Sequence, residues 1–375
     1  MNFKKSKIRS LVLLALAAVA FCGLIWFANK DRPVYRSSNM AGTDYEVGRV
    51  LRVVEDHKTV DEELDGIWRG SMTLEVEILT GRYKGDTAIV ENYFSSLYNV
   101  RVAAGDKVSI RIDTTGEDEY QVSVYNYYRV PQMIGCIVAF VLLLVLIGGK
   151  KGAKSVAGLA FTVVCILWIL LPLALKGYSP LAVTILLILV CNFVSFFLID
   201  GISTKTVVAA IGSMLGVLAG AVFALIAQNA MSITTYQMDE AETLLLITST
   251  TELKIRDLFL CGILISCMGA VMDVAMSICS AVAEIHQVDR SLGMAKLFAS
   301  GMNIGRDAMG TMANTLILDM MLMIYSYDVS FQQLMNTDFV AIEIIQCIAG
   351  SVGIVCTVPL VALLSAAVFG KKTKK

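Results

Sequence analysis

The chain has 375 residues, a formal net charge of −1 and a hydrophobic fraction of 56%, whereas only 17% of its residues are charged. Soluble domains carry about 25% charged residues, so this composition excludes an ordinary soluble enzyme and a disordered chain. The lack of a basic excess excludes a nucleic-acid-binding protein. Because no Asp or Glu occurs between Pro131 and Ile199, we expect that part of the chain to lie in a lipid bilayer.

The first predicted element is a transmembrane helix from Ser10 to Ala28. A spanning helix needs about 20 mostly apolar residues, and this run is long for a cleaved signal peptide, which is the alternative. We predict an uncleaved anchor made of residues 1–28. It follows a basic cluster, Lys4, Lys5, Lys7 and Arg9.

Residues 29–131 show the period of two that is typical of half-buried strands. Apolar residues alternate with polar ones in two clear runs, and Gly-Asp and Lys-Gly-Asp turns separate the runs. The pattern predicts about five or six antiparallel strands in a small all-β domain, either an OB-like barrel or a sandwich. The apolar positions are Met72, Leu74, Val76 and Ile78 in one run, and Val108, Ile110 and Ile112 in the other.

Residues 132–375 contain seven further apolar runs long enough for helices, so we predict an α-helical multipass membrane protein with about eight transmembrane helices. Three semi-apolar segments are predicted to lie at the membrane surface: Met238–Thr251, Val329–Asp338 and the inner stretch Leu292–Asn303, which is either interfacial or re-entrant. The seven predicted helices are Met133–Ile147, Val156–Leu175, Leu181–Ile199, Thr206–Ala227, Leu258–Ala283, Ala308–Tyr325 and Ala341–Phe369.

The distribution of Lys and Arg predicts the orientation of these helices. If both termini are cytoplasmic, 15 basic residues lie in cytoplasmic segments, and the short outer loops hold only Lys176, Lys254 and Arg256. The β-domain is then extracytoplasmic.

Asp273 in the sixth helix is the strongest candidate for a functional group. An ionisable residue at bilayer depth costs about 2.5–3.5 kcal/mol on insertion scales, so it needs a reason to be there. At about 100° per residue, Ser277, Ser280 and Glu284 return to the face that carries Asp273, and Ser266 precedes them. This polar face predicts one wall of a path that binds a cation or proton, or alternatively a buried structural carboxylate.

The seventh helix supplies a second polar face, on which Asn303, Asp307, Thr311 and Asn314 recur at helical spacing. Arg306 is expected at the cytoplasmic mouth, where it pairs with Glu284 or Asp307. Glycines surround this segment, as in helices that are broken or closely packed around a cavity. Asp307 has a second interpretation as a helix cap.

Other small residues predict packing rather than chemistry. Close helix contact is predicted where three glycines recur at spacing four in the fifth helix and where two glycines lie in the eighth helix. The nine cysteines all lie in apolar runs, so we predict neither a structural disulfide nor a metal site, and no cofactor. The packing glycines are Gly212, Gly216, Gly220, Gly350 and Gly353.

Several motifs resemble the YibE/F-like family of bacterial multipass membrane proteins. They are Met272–Ile278 with Ala283–Ile285, Gly305–Leu318, Ile342–Ile345 with Gly350–Ile354 and Pro359, and the turn Gly81–Asp86. The resemblance implies a bacterial plasma-membrane protein that is often encoded beside a second, shorter family member, which is the expected partner. It implies no defined substrate or reaction.

Four functional hypotheses follow. The leading one is a secondary transporter or permease for a small solute or ion, with a polar path along the sixth and seventh helices. The second is a non-catalytic membrane subunit, sensor or scaffold that acts with a paired family member or as a homo-oligomer. An intramembrane aspartyl enzyme using Asp273 with Asp307 or Asp319 is disfavoured. A soft-metal transporter would use Met268, Met272 and Met276, which share a face.

Overall fold

The computed structural model describes residues 19–31, 42–61, 66–95, 98–114, 119–233, 248, 251–325 and 331–370, without the side chains of 256, 312–325, 331, 334 and 339. It divides into two compact units. One is Arg36–Leu143, and the other combines Met1–Tyr35 with Leu144–Lys375. The predicted segments 1–18 and 238–247 lie outside the described residues.

The first unit contains one curled antiparallel sheet, whose strands β1 to β6 lie within the predicted β-domain. Long β1 pairs with β3 on one side and with β5 on the other, β4 extends the sheet from β3, and β6 extends it from β5. Strands β4 and β6 approach each other, which gives a partly open barrel. The strands are Thr43–Asp56, Thr59–Val60, Trp68–Ile78, Thr87–Phe94, Lys107–Thr114 and Tyr120–Tyr127.

The inner face of this sheet carries the predicted apolar residues. Leu74, Val76, Ile78 and Ile110 are completely buried, and they pack together in one hydrophobic cluster. Their polar neighbours alternate to the outer face, because successive side chains of a strand point to opposite sides. The prediction of a small all-β domain is confirmed.

The remaining elements are helices. The first, α1, is described as Val19–Asn29, and α4 and α5 follow a long element made of α2, a π-helical turn and α3. Helices α6 and α7 are joined by a short turn, and a short α8 precedes α9. The bounds are α2 Val130–Cys165, π turn Ile166–Leu170, α3 Leu171–Leu175, α4 Pro180–Asp200, α5 Thr204–Ala230, α6 Leu258–Val288, α7 Met294–Tyr325, α8 Phe331–Met335 and α9 Asp338–Phe369.

Among the described residues, five helical stretches are long and apolar enough to cross a membrane. They are Val130–Leu175, α4, α5, α6 and Val340–Phe369. The prediction of a multipass helical protein is therefore confirmed, whereas the prediction of about eight crossings is not. The predicted second and third helices form one 46-residue element, which breaks at Gly149 (φ 53°, ψ −133°).

The predicted boundary of the seventh helix needs correction. Helix α7 begins at Met294 and continues for 32 residues, so the stretch Leu292–Asn303 is not a separate interfacial or re-entrant segment. Leu297 is completely buried in the hydrophobic cluster that α6 and α9 also supply. Averaged hydropathy does not assign this stretch to the helix, because its other side carries Lys296 and Asn303, which are both exposed.

The glycine ladder of α5 lies against α9. A Cβ atom on Gly212 would lie 2.3 Å from Val361 Cγ2, and one on Gly220 would lie 2.8 Å from the carbonyl oxygen of Ala349. Gly353 of α9 in turn lies against the backbone of Gly216. The two helices approach this closely only because these positions lack a side chain.

Candidate functional site

Helix α6 presents its polar residues on one exposed face. Asp273, Ser277 and Glu284 are exposed and Ser280 is half-buried, whereas Val274, Ala275, Ile278 and Cys279 between them are buried. Asp273 is the central residue of the helix, about 22 Å from each end. The predicted polar face thus exists, and it points away from the helices packed against α6.

Helix α7 has a corresponding exposed face. Asn303, Arg306, Asp307 and Thr311 are all exposed. The hydroxyl of Thr311 is hydrogen-bonded to backbone carbonyls of the preceding turn, at Asp307 and Ala308. Asn314 lies within the helix, but its side chain is outside the described part of the structure.

Apolar residues and glycines, not the polar faces, join α6 to α7. A Cβ atom on Gly301 would lie 3.0 Å from Val282 Cγ2, and one on Gly305 would lie 2.9 Å from Ile278 Cδ1. At about 100° per residue, these contact positions lie across each helix from its polar face. The structure therefore brings the two helices together but turns their polar faces away from each other.

The same contacts set the antiparallel register of α6 and α7. With Gly301 level with Val282 and Gly305 level with Ile278, Arg306 lies at the depth of Ser277 and Gly310 at the depth of Asp273. Arg306 thus lies about three turns from the start of α7, level with Ser277 of α6. Among the described residues it has no ion-pair partner within 4.0 Å, so the expected pairs with Glu284 and Asp307 are not formed.

An open cleft of about 730 Å³ lies where α6 ends. The last three to four turns of α6 form one wall, and Lys151 of α2, the end of α4, the beginning of α5 and the end of α9 complete the lining. The cleft includes two of the predicted path residues, Ser280 and Glu284. Its other polar lining residues are Lys151, Asp200, Ser203, Thr204, Lys205 and Gln287.

Asp200 organises the charges of this cleft. Its carboxylate accepts a 2.7 Å contact from Lys205 Nζ and a 3.3 Å contact from Lys151 Nζ. Ser203 caps α5 by accepting a hydrogen bond from the backbone N–H of Thr206, which keeps Lys205 in the first turn of that helix. Sequence reasoning missed this cluster because it searched for acids within the spans, and Asp200 is the last residue of α4.

The methionine face considered for a soft metal is part of the hydrophobic core. Met268 is 8% exposed, and Met272 and Met276 pack against the same buried cluster. Met268 also lines a water-sized cavity of about 10 Å³ with Cys191 and Thr162. No group of three or more His, Cys, Asp or Glu side chains able to hold a metal occurs among the described residues.

The structure does not assemble the aspartyl pair considered for an intramembrane enzyme. Asp273 and Asp307 lie on faces that are turned away from each other across the α6–α7 contact. Asp319 lies in the part of α7 whose side chains are not described. The glutamate near the start of α9, Glu343, is half-buried.

Comparison with known proteins gives two family matches that together cover most of the chain. Residues 136–371 match the family described as YibE/F-like protein. Residues 40–127 match the YibE/F family N-terminal domain, and they include the whole curled sheet. Neither a curated protein nor a solved structure matches the chain.

Proposed function

The chain belongs to the YibE/F-like family, and we propose that it is a membrane permease that moves a small ion or polar solute along the polar face of α6. One observation carries this proposal. Asp273 lies exposed at the middle of an apolar helix, and Ser277, Ser280 and Glu284 continue its face to the open cleft. A carboxylate at that depth costs about 2.5–3.5 kcal/mol, which a binding role for a proton or cation explains.

We propose that the cleft is the cytoplasmic entrance. The end of the bundle that holds Asp200 and Lys205 also holds Lys151 and the turn with Arg290, and basic residues concentrate on the cytoplasmic side of membranes. In this orientation both termini are cytoplasmic. The β-domain is then outside the plasma membrane.

One acid of the cleft is left to bind a cation that continues to Asp273. Asp200 is paired with two lysines, and these three residues together carry a charge of +1, whereas the exposed Glu284 has no ion-pair partner among the described residues. A cation entering the cleft therefore meets one free carboxylate, then the hydroxyls of Ser280 and Ser277, then the Asp273 carboxylate. Oxygen ligands of this kind suit protons and hard cations.

A second candidate function is a non-catalytic membrane subunit, sensor or scaffold that acts with another family member. The outward direction of both polar faces favours it, because a partner helix would cover them. In this case the polar residues are contact groups and carry no solute.

The experiment that tests the permease is flux into proteoliposomes, measured for protons and a panel of alkali and divalent cations. Asp273→Asn should keep the wild-type abundance and abolish flux, while Glu343→Gln, which changes a half-buried acid in another helix, should leave both unchanged. Wild-type flux with Asp273→Asn would refute the role of Asp273. Absence of any flux from the purified wild-type chain would favour the subunit.

A further inference from the structure

Two polar faces of this membrane bundle are exposed on the outside of a single chain. They are the face of α6 with Asp273, Ser277 and Glu284, and the face of α7 with Asn303 and Arg306. Neither is stable against lipid acyl chains, since charged side chains in membranes almost always face protein or water. Something other than lipid must therefore cover both.

We propose that copies of this chain form a closed ring in the membrane, in which the polar face of α6 from one copy packs on the polar face of α7 from the next. An interface between two different faces of identical chains is heterologous, and it forms a ring when the rotation from one copy to the next closes. The occupant of each face is thus a second copy of the same chain.

The charges of the two faces are complementary. The α6 face carries the acids Asp273 and Glu284, whereas the α7 face carries two basic residues, Lys296 and Arg306, and one acid, Asp307, so its net charge is positive. Among the described residues, Arg306 has no acid within ion-pair distance in its own chain. A two-fold contact of α6 with α6 would instead place Asp273 against Asp273, which opposes like charges.

The depths of the two faces also match. Rotation about an axis normal to the membrane leaves every residue at its own depth, so the register of α6 and α7 within one chain holds between neighbouring chains. Ser280 is level with Asn303, Ser277 with Arg306 and Asp273 with Gly310. Arg306 is four residues, or about 6 Å along the helix, from the level of Asp273, a distance that its side chain spans.

Small residues leave room for the contact. A Cβ atom on Gly262 or Gly269 of the α6 face, or on Gly310 of the α7 face, would have no atom within 4 Å. Small residues on transmembrane helices let neighbouring backbones approach closely. The glycines that face the inside of the bundle, such as Gly305, are instead already in contact.

The ring would also complete the proposed path, because α7 of the next copy would form its second wall. That part rests on the proposed function, whereas the assembly does not. A solute at Asp273 would then pass between two protein surfaces and not between protein and lipid.

Cross-linking between copies tests the ring. Copies with Ser280→Cys and copies with Asn303→Cys, each with a different tag, are expressed together and oxidised in native membranes. We expect a disulfide-linked dimer that carries both tags and needs both substitutions. The matched control replaces Asn303→Cys by Val207→Cys. Val207 is exposed on α5 and lies two residues after Lys205, whose carbonyl contacts Cys279, so its depth is similar to that of Ser280. It should give no linked dimer.

A linked dimer from Ser280→Cys alone would indicate a two-fold contact and overturn the ring. The ring is also overturned if Val207→Cys links equally well, or if copies that reach wild-type abundance do not link. Capture of another family member in place of a second copy would overturn it as well and assign the faces to that protein. If either cysteine variant fails to accumulate, the mass of the wild-type particle in detergent decides, since a monomer contradicts the ring. Neither measurement depends on flux, so a failure of the ring and a failure of the permease are distinguishable.

Discussion

Gly216 of α5 lies so close to Thr357 of α9 that a Cβ atom on Gly216 would be 1.7 Å from the Thr357 hydroxyl oxygen. Thr357 is completely buried, and its hydroxyl donates a 2.7 Å hydrogen bond to the carbonyl of Gly353. The hydroxyl therefore has no free space in which to move. This contact fixes α5 against α9 at the centre of the membrane unit.

Gly216→Ala should consequently separate the two helices. Overpacking of a core costs about 1–3 kcal/mol, so we expect a lower thermal unfolding temperature in detergent and lower abundance. The control is Gly148→Ala in α2, where a Cβ atom would meet nothing within 4 Å. Equal stability of the two variants would show that the α5–α9 contact is not tight.

The two lysines around Asp200 should differ in their contribution to stability. Lys205 is 2.7 Å from the carboxylate and its side chain is 26% exposed, whereas Lys151 is 3.3 Å away and 74% exposed. Lys205→Met should cost about 1.5–3 kcal/mol, as for a hydrogen bond to a charged group. Lys151→Met should cost about 0.2–1 kcal/mol, as for an exposed ion pair.

The measurement is unfolding of both variants in detergent, repeated in an Asp200→Asn background. There the cost of Lys205→Met should shrink, because its partner has lost its charge. A cost that persists unchanged in that background would assign the effect of Lys205 to packing.

The β-domain should lose stability at alkaline pH. Burial raises the pKa of Tyr120, and the hydrogen bond that its hydroxyl donates to Asp86 Oδ2 at 3.0 Å raises the pKa further. A raised pKa means that the folded state binds this proton more tightly, so the stabilisation is present below the unfolded pKa of about 10 and is lost as pH rises through the folded pKa.

Thermal unfolding between neutral pH and the alkaline range measures this loss. Tyr120→Phe keeps the ring that stacks on Tyr83, with centroids 4.1 Å apart, and removes the titrating group. We expect a weaker dependence on pH in the variant. The same dependence in both proteins would assign the alkaline loss to other groups.

The strands were predictable from the sequence because a strand with one buried face alternates apolar and polar residues. Leu74 and Val76 are buried, and Glu75 between them pairs with Arg52 on the other face. Helix α7 was less predictable, because its first turns bury Leu297 and Gly301 on one side and expose polar residues on the other. A window that averages hydropathy cannot detect such a helix in full.

The polar faces of α6 and α7 were predictable one helix at a time, but their directions were not. The spacing of Asp273, Ser277 and Glu284 shows that they share a face, and it carries no information on which neighbour that face meets. Packing decides this: Ile278 and Val282 meet Gly301 and Gly305, and the polar residues are left on the outside. The Asp200 cluster was missed because its charges come from three separate elements.

The most direct test of the central claim is the reaction of cysteine at position 277 with a charged thiol reagent that does not cross membranes, added from the cytoplasmic side. Ile211 of α5 is the matched control, because it is 45% exposed and lies at a similar depth. Lys205 of α5 contacts Cys279 of α6, and Gly353 contacts both Gly216 of α5 and Val271 of α6, so Ile211 lies between the levels of Cys279 and Val271. If the polar face of α6 lines a water-filled path, Ser277→Cys should react far faster than Ile211→Cys and than the native cysteines. Equally slow reaction of both substituted positions would contradict the path.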